Sequence, residues 1–279
     1  NDSSIVILHK VIKDYPIRHR DIKVISHESN RGLAAARNTG VSNCSGDYLL
    51  HVDSDDWLEL NAVETLVNSI RGNDVDMVCF GYISEYGINS CMSQVEGDRR
   101  SLIHGILTNK QHASIWSKMY KSEFYKNSGF DSVEGLNQGE DYVLVPRLLH
   151  KASNIIFMSC HLYHYEMTNQ NSYTKNVKLS AIKNIHDADN ILYSYFSQVS
   201  DSALYKNALD ILYVRSMLYL IKTSNWSNYP DILAVYREDI SRNLTSLSVV
   251  DKLILLCVYL GFYKLTFYLI RLGIKLTNQ

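Results

Sequence analysis

The sequence predicts an α/β domain followed by an all-helical region, and three observations carry that reading. Up to residue 176, short apolar runs alternate with stretches of helical periodicity, the pattern of strands and helices built on one sheet. Beyond it, residues 177–198, 201–223, 228–243 and 248–276 keep a helical period and offer no convincing strand. Three prolines and no low-complexity tract argue against long disordered linkers. The expected organisation is two domains, 1–176 and 177–279, and 279 residues give ample core.

The elements follow in order. Residues 5–15 read as a helix and residues 22–26 as a strand. Residues 31–43 are Ala-rich and helical, stopped near Gly46. Residues 48–52 form a short apolar run that reads as a buried strand. A helix over 61–70 ends at Gly72, and a strand spans 75–84. Residues 85–97 are a loop or hairpin; 102–107 and 122–127 are helical. Residues 140–151 are helical but contain Pro146, which removes a hydrogen bond and crowds the preceding turn, so a kink or a late start is expected. Residues 154–158 and 161–165 read as two strands.

Candidate chemistry gathers at the end of the 48–52 strand, in Val52-Asp53-Ser54-Asp55-Asp56-Trp57. Three carboxylates within four residues repel one another, and a divalent cation relieves the crowding. Oxygen-only ligands favour a hard ion, Mg2+ or Mn2+, and such an ion naturally holds a diphosphate. The competing reading is an acidic turn capping the next helix. Net charge is −1, which excludes a global nucleic-acid footprint. Five scattered cysteines without metal-type spacing point to a reducing compartment, and no signal peptide is visible, so a cytoplasmic location is expected.

Upstream of the acidic run stands Asn30-Arg31-Gly32-Leu33-Ala34-Ala35-Ala36-Arg37-Asn38-Thr39-Gly40, then Gly46-Asp47-Tyr48; downstream stands Gly139-Glu140-Asp141-Tyr142. This order resembles the family-2 inverting glycosyltransferases of GT-A fold. Their signature is an N-x-G-x-x-x-A-R-N-x-G helix, a G-x-Y strand ending in D-x-D-D, and a later E-D motif. The resemblance covers residues 1–175. Such enzymes open with a strand, a helix and a strand ending in a DDGS motif, and Asn1-Asp2-Ser3-Ser4 resembles its tail. The resemblance therefore implies a GT-A domain that is N-terminally incomplete by one βαβ unit of roughly 30 residues.

The resemblance also implies roles. It makes the protein a bacterial-type transferase that moves a sugar from a nucleotide donor, UDP-linked, to a lipid-linked or polysaccharide acceptor with Mn2+ or Mg2+. Asp141 matches the catalytic base; an attacking hydroxyl is a poor nucleophile until its proton is accepted. Asp55 and Asp53 match the metal pair and donor contacts, with Asp55 favoured as the direct ligand. Arg37 and Asn38 match donor contacts, an ion pair or a cap being their alternative. Trp116 and Lys118, in Trp116-Ser117-Lys118-Met119-Tyr120, and Glu140 match the acceptor side, a core tryptophan being the alternative for Trp116. Many such enzymes complete the metal shell with a histidine near the Tyr163-His164-Tyr165 and Asn171-Ser172-Tyr173-Thr174 segments. His164 is the candidate; the register falls nearer Met167, and a hydrogen-bonded strand histidine is its alternative. A nucleotidyltransferase is disfavoured, since no Gly-rich phosphate loop with a basic residue occurs. A degenerate, non-catalytic binding or scaffold protein is the remaining alternative.

In the helical region tyrosine is dense, as filler of a bundle or as a docking platform. Between Thr245 and Gln279, Lys252, Lys264, Arg271 and Lys275 oppose only Asp251. Lys264, Tyr268, Arg271 and Lys275 share one helical stripe on an otherwise apolar segment, an interfacial pattern. A helix over residues 262–276 rises about 22 Å, short of the ~30 Å hydrocarbon core. Peripheral contact with the inner face of the cell membrane is expected, with burial in the bundle as the rival.

Overall fold

The structure, a computed structural model, describes residues 3–94, 97–168, 178–239 and 247–277, with side chains described through Gly273. It divides into two compact units, one ending at Arg31 and one beginning at Gly32. The first holds helix α1 (Ser4–Asp14) and a 3-10 turn over Pro16–Asp21, with Pro16 at its first position. Proline presets the helical φ there and gives up an N–H that would be unsatisfied anyway. The strand expected over 22–26 is not formed: Ile22 is extended, but these residues join no ladder among the described residues. Extended apolar sequence makes a strand only where a neighbour accepts its backbone groups.

The second unit starts with α2 (Leu33–Asn43), followed by strands β1 (Tyr48–Leu50) and β2 (Trp57–Leu58), helix α3 (Ala62–Ile70), and the hairpin β3 (Met77–Tyr86) and β4 (Asn89–Ser93). Then come α4 (Arg99–Leu107), β5 (Lys118–Lys121), α5 (Ser122–Asn127), α6 (Glu140–Lys151) and β6 (Ile155–Glu166). The strands form one mixed sheet of order β1-β5-β3-β6-β2, with β4 on β3. Among the described residues, only β3 and β6 pair in parallel. The central strand β3 opens with the fully buried run Met77-Val78-Cys79-Phe80, as a strand covered on both faces requires.

Sheet order matters for the site. β1 and β2 lie at opposite edges, so the six residues between them, which include Asp53, Asp55 and Asp56, carry the chain from one edge to the other. The two strands expected over 154–158 and 161–165 are one strand, β6. Its pairing with β3 jumps from Cys79↔Phe157 to Gly81↔His161 and then to Tyr82↔Tyr163. Extra residues are absorbed as bulges, so the polar interruption at Ser159 bends the strand without ending it. The late start expected of α6 does not occur; it begins at Glu140 and carries Pro146 inside it.

The helices beyond residue 178 are α7 (Leu179–Gln198), α8 (Lys206–Leu209), α9 (Leu212–Thr223), α10 (Tyr229–Tyr236), α11 (Val249–Tyr259) and α12 (Tyr263–Thr277). The helix expected over 201–223 is broken into a 3-10 turn, α8 and α9, and the one expected over 248–276 breaks at Leu260-Gly261-Phe262. One apolar cluster joins Val78, Leu144 and Leu148 of the α/β part to Leu192, Phe196 and Ile221 of the helical part. The joint carries a polar centre. Asp189 on α7, wholly buried, accepts hydrogen bonds from Tyr142 of α6 (3.2 Å), Ser216 of α9 (2.8 Å) and Tyr236 of α10 (3.0 Å).

Burial raises the Asp189 pKa from 3.8 to about 8, against the pull of its three hydroxyl partners. The folded protein thus holds a proton that the unfolded chain has lost between those values, and stability falls as pH rises from 4 towards 8. Asp189→Asn offers an amide where the protonated acid stands and should remove most of that slope. Urea midpoints at pH 5 and pH 8 measure it: the wild-type difference should at least halve in the variant, and an unchanged difference assigns the slope to another group.

Candidate active site

Three pieces of chain converge on a cleft of about 900 Å³ in the second unit: α2, the acidic run after β1, and the start of α6. Gly32 caps α2 at φ 85°, and a Cβ there would lie 2.0 Å from Asn137 Oδ1. Only glycine fits that position. Ala34 and Ala35, both buried, keep α2 tight to its neighbours and aim Arg37 at the cleft. Gly139, at φ 91°, starts α6 and puts Glu140 and Asp141 in its first turn, where the helix dipole favours negative charge.

Arg37 is the centre of the site. It is 8% exposed. Its Nη1 donates to Glu140 Oε1 (2.6 Å) and to Asp141 Oδ1, and its Nη2 donates to Asp53 Oδ1 (3.3 Å). Burial works against the guanidinium charge, but Asp141, Glu140 and Asp53 outweigh it and raise its pKa. Asp141 Oδ2 also accepts the Ile115 N–H (3.1 Å). Burial raises the Asp141 pKa, with Arg37 pulling the other way; burial and the charge of Asp141 raise that of Glu140. Asp141 is thus a carboxylate more basic than usual, held at a fixed point and one-fifth exposed.

Asp56 is engaged on the side away from the cleft lining. Its Oδ2 accepts the Tyr163 hydroxyl proton (2.6 Å) and its Oδ1 accepts the Glu166 N–H (2.8 Å), while the Asp53 N–H donates to Tyr163 Oη (3.1 Å). Asp56 is therefore a tether that ties the acidic loop to β6. Asp53 and Asp55 line the cleft. Among the described residues no group of three His, Cys, Asp or Glu side chains forms a ready metal cage. A two-carboxylate site of this kind fits Mg2+ or Mn2+, which are held by one or two carboxylates together with substrate phosphates.

Geometry bears on four of the sequence-based expectations. Asn38 does not line the cleft; its amide donates to Ser132 O (2.8 Å) and accepts Ser132 N–H (3.0 Å), pinning the loop after α5. Lys118 is 1% exposed, with Nζ spent on Ser114 O (2.6 Å) and Ser117 Oγ (3.1 Å), so it cannot reach an acceptor. His164 is no metal ligand in this arrangement: Nδ1 pairs with Glu85 (2.7 Å) and Nε2 with Glu59 (3.0 Å), and its ring stacks on Trp57 (5.1 Å). Burial opposes its charge, but the two carboxylates outweigh burial and raise its pKa. Trp116 borders the cleft but is buried, stacked by Tyr163 (4.3 Å) and Tyr165 (5.2 Å). Asn171 to Thr174 lie outside the described residues. Sequence reasoning missed His112 and Tyr219, which line the cleft from outside every motif; nothing in local spacing marks them.

Arg37 balances three carboxylates in a buried place, so removing it leaves them facing one another. Arg37→Ala should cost about 3–5 kcal/mol of stability, the usual loss when one partner of a buried ion pair is deleted. Arg37→Lys should fall in between, because a single ammonium cannot reach three acceptors as a planar fork does. Chemical denaturation measures both; a loss under about 1 kcal/mol for Arg37→Ala would show that the carboxylates take up protons with little strain.

Comparison with known proteins agrees with this architecture. The chain is 29% identical over 181 residues to the glycosyltransferase GlyA of Streptococcus pneumoniae, covering 60% of this chain and 25% of that protein. It is 26% identical over 176 residues to the cholesterol galactosyltransferase of Borreliella burgdorferi, covering 55% and 47%. The chain therefore spans a quarter to a half of the length of these relatives. The crystal structure of Staphylococcus aureus TarS residues 1–349 in complex with UDP-GlcNAc superposes with a TM-score of 0.69 at 13% identity, covering 99% of this chain and 80% of that one. That likeness shows the shared GT-A fold. Residues 1–128 match the profile of Glycosyl transferase family 2.

Proposed function

We propose that the protein is an inverting glycosyltransferase that moves a sugar from a nucleotide donor, UDP-linked, to a polysaccharide or lipid-linked acceptor. The observation that carries this reading is Asp141: a partly buried carboxylate of raised pKa that shares one cleft, and one guanidinium, with Asp53. The crystallised complex of a GT-A neighbour with UDP-GlcNAc supports the donor class.

The residues act as follows. Asp141 accepts the proton of the attacking hydroxyl as its oxygen bonds to the anomeric carbon and the bond from that carbon to the diphosphate oxygen breaks. Attack from the face opposite the leaving group inverts the centre in one displacement. Arg37 and the Ile115 N–H each occupy one Asp141 oxygen, and a carboxylate keeps further lone pairs for the incoming proton. Arg37 also holds Asp141 at a set distance from Asp53, so base and diphosphate side share one reference point. Asp55 and Asp53 would hold Mg2+ or Mn2+, which supplies neutralisation of the leaving diphosphate.

A location at a membrane surface is supported by α12. Lys264 and Arg271 flank the exposed Leu265, Leu269 and Leu272, and no helix among the described residues is long and apolar enough to cross a membrane. We place the protein at the inner membrane face, where an acceptor carried on lipid would be found.

Two substitutions separate donor side from base. Asp55→Asn should abolish Mn2+-dependent binding of UDP by calorimetry. Asp141→Asn should leave that binding intact and lower turnover by roughly 10²–10⁴-fold; turnover within tenfold of wild type would give the proton to another residue. Membrane contact is read by flotation with phosphatidylglycerol vesicles. The chain should rise with the vesicles at low salt, and Lys264→Gln with Arg271→Gln should weaken binding by roughly tenfold or more, since each charge near an anionic surface is worth about 1 kcal/mol. Protein that stays at the bottom at low salt refutes the contact.

A further inference from the structure

The donor chemistry leaves one wall of the cleft without a role. His112, Tyr165 and Tyr219 line it, with Asn109 and Gln111 beside them. This wall borders the base, because the Ile115 N–H donates to Asp141 Oδ2. Whatever bears the attacking hydroxyl must therefore rest against it.

The wall carries no formal charge. His112 Nδ1 accepts the Ser114 N–H (3.2 Å), which leaves the ring proton on Nε2. The ring opens to the cleft, yet it is sunk among Tyr82, Trp116 and Tyr165, and burial lowers its pKa to about 4. Tyr219, on α9, is 40% exposed. Asn109 takes a left-handed φ of 53° and donates to Ser216 Oγ (3.3 Å), which in turn bonds Asp189. The wall is therefore held by the helical region and does not hang as a loose loop.

An anionic acceptor would find no side-chain cation at this wall, whereas the donor diphosphate, on the Asp53 and Asp55 side, would have the metal ion. Among the residues that line the cleft, Arg37 is the sole Lys or Arg, and three carboxylates already engage it. Lys118, close in sequence, is closed off in the core. The N-terminus of α6 faces its own Glu140 and Asp141. Phosphates and carboxylates need guanidinium, ammonium or an open helix N-terminus. Aromatic faces, amides and a neutral imidazole suit a ring with hydroxyls and C–H faces instead.

We infer that this wall is the subsite for the accepting residue, and that it takes an uncharged sugar ring in preference to a phosphorylated polyol or an acidic sugar. The inference rests on the transferase reading for the word accepting, but binding of a neutral ring to the wall can be read without it. Saturation-transfer NMR on the 279-residue chain with methyl β-D-glucopyranoside, methyl β-D-galactopyranoside and glycerol 3-phosphate is the test. At least one glycoside should take up saturation and the phosphate should not. Tyr219→Ala should weaken the glycoside by roughly tenfold, the upper range of what one stacked ring contributes, and Tyr219→Phe should retain it. His112→Ala should weaken it as well. Glycerol 3-phosphate binding as well as the glycosides, no glycoside binding at all, or a signal that survives both alanine variants would each overturn the inference. Calorimetry of UDP with Mn2+ on the wild-type chain separates the two readings: if UDP fails to bind while the glycosides do, the donor assignment is lost and the saccharide wall stands.

Discussion

One guanidinium holds the site together. Arg37 sits where α2, the acidic run and α6 meet, and it is bonded to a carboxylate from each of the latter two elements. Without that charge Asp53, Glu140 and Asp141 would repel one another in a poorly solvated place, and the three chain segments would separate. The arrangement explains why so much of the surrounding sequence is restrictive. Gly32 and Gly139 adopt positive φ to deliver the two helices, and Ala34 and Ala35 keep α2 close. The crowding of like charge that makes the acidic run unfavourable in isolation is offset by one buried cation from sixteen residues upstream.

A second polar centre supports the first. Asp189 gathers hydroxyls from α6, α9 and α10, and Tyr142, one of its partners, directly follows Asp141. Through Ser216 the same carboxyl supports Asn109. A buried polar group that is fully bonded fixes one arrangement of its neighbours better than apolar packing does, because alternatives leave donors unmet. The helical region thus acts on the cleft in two ways: it contributes Tyr219 and Ile185 to the lining, and it steadies the segment before Trp116. It is part of the cleft as well as a support for it.

The aromatic residues divide by the same logic. Trp116 reads in the sequence as either a sugar platform or a core ring, and Tyr163 and Tyr165 stack on it and bury it. Tyr163 in turn uses its hydroxyl to bind Asp56 and the Asp53 amide. A stack of core rings therefore sets the height of the acidic loop over the sheet. The core rings and the Tyr163 hydroxyl thus shape that loop.

Much was legible from the sequence because it rests on local rules. Helical period, the glycines that open α2 and α6, and the motif order gave the α/β class, the helical region, and the grouping of Arg37, Asp53, Asp55 and Asp141 about one cleft. The strand misreadings have a common cause: 22–26 lacks a ladder and β6 absorbs its interruption as a bulge, and both facts depend on a neighbouring strand. The side-chain misreadings share another. Asn38 and His164 carry the right chemistry, but each spends its polar atoms on a residue far away in the chain: Ser132 for Asn38, and Glu59 with Glu85 for His164. Lys118 is closed in by burial. Tyr219 and His112 reach the cleft only because α9 and the 109–116 segment fold against it. Sequence by itself determined which residue types were available and which short elements would form; tertiary structure decided which polar atoms remain to meet a ligand, since that depends on partners the chain brings from a distance.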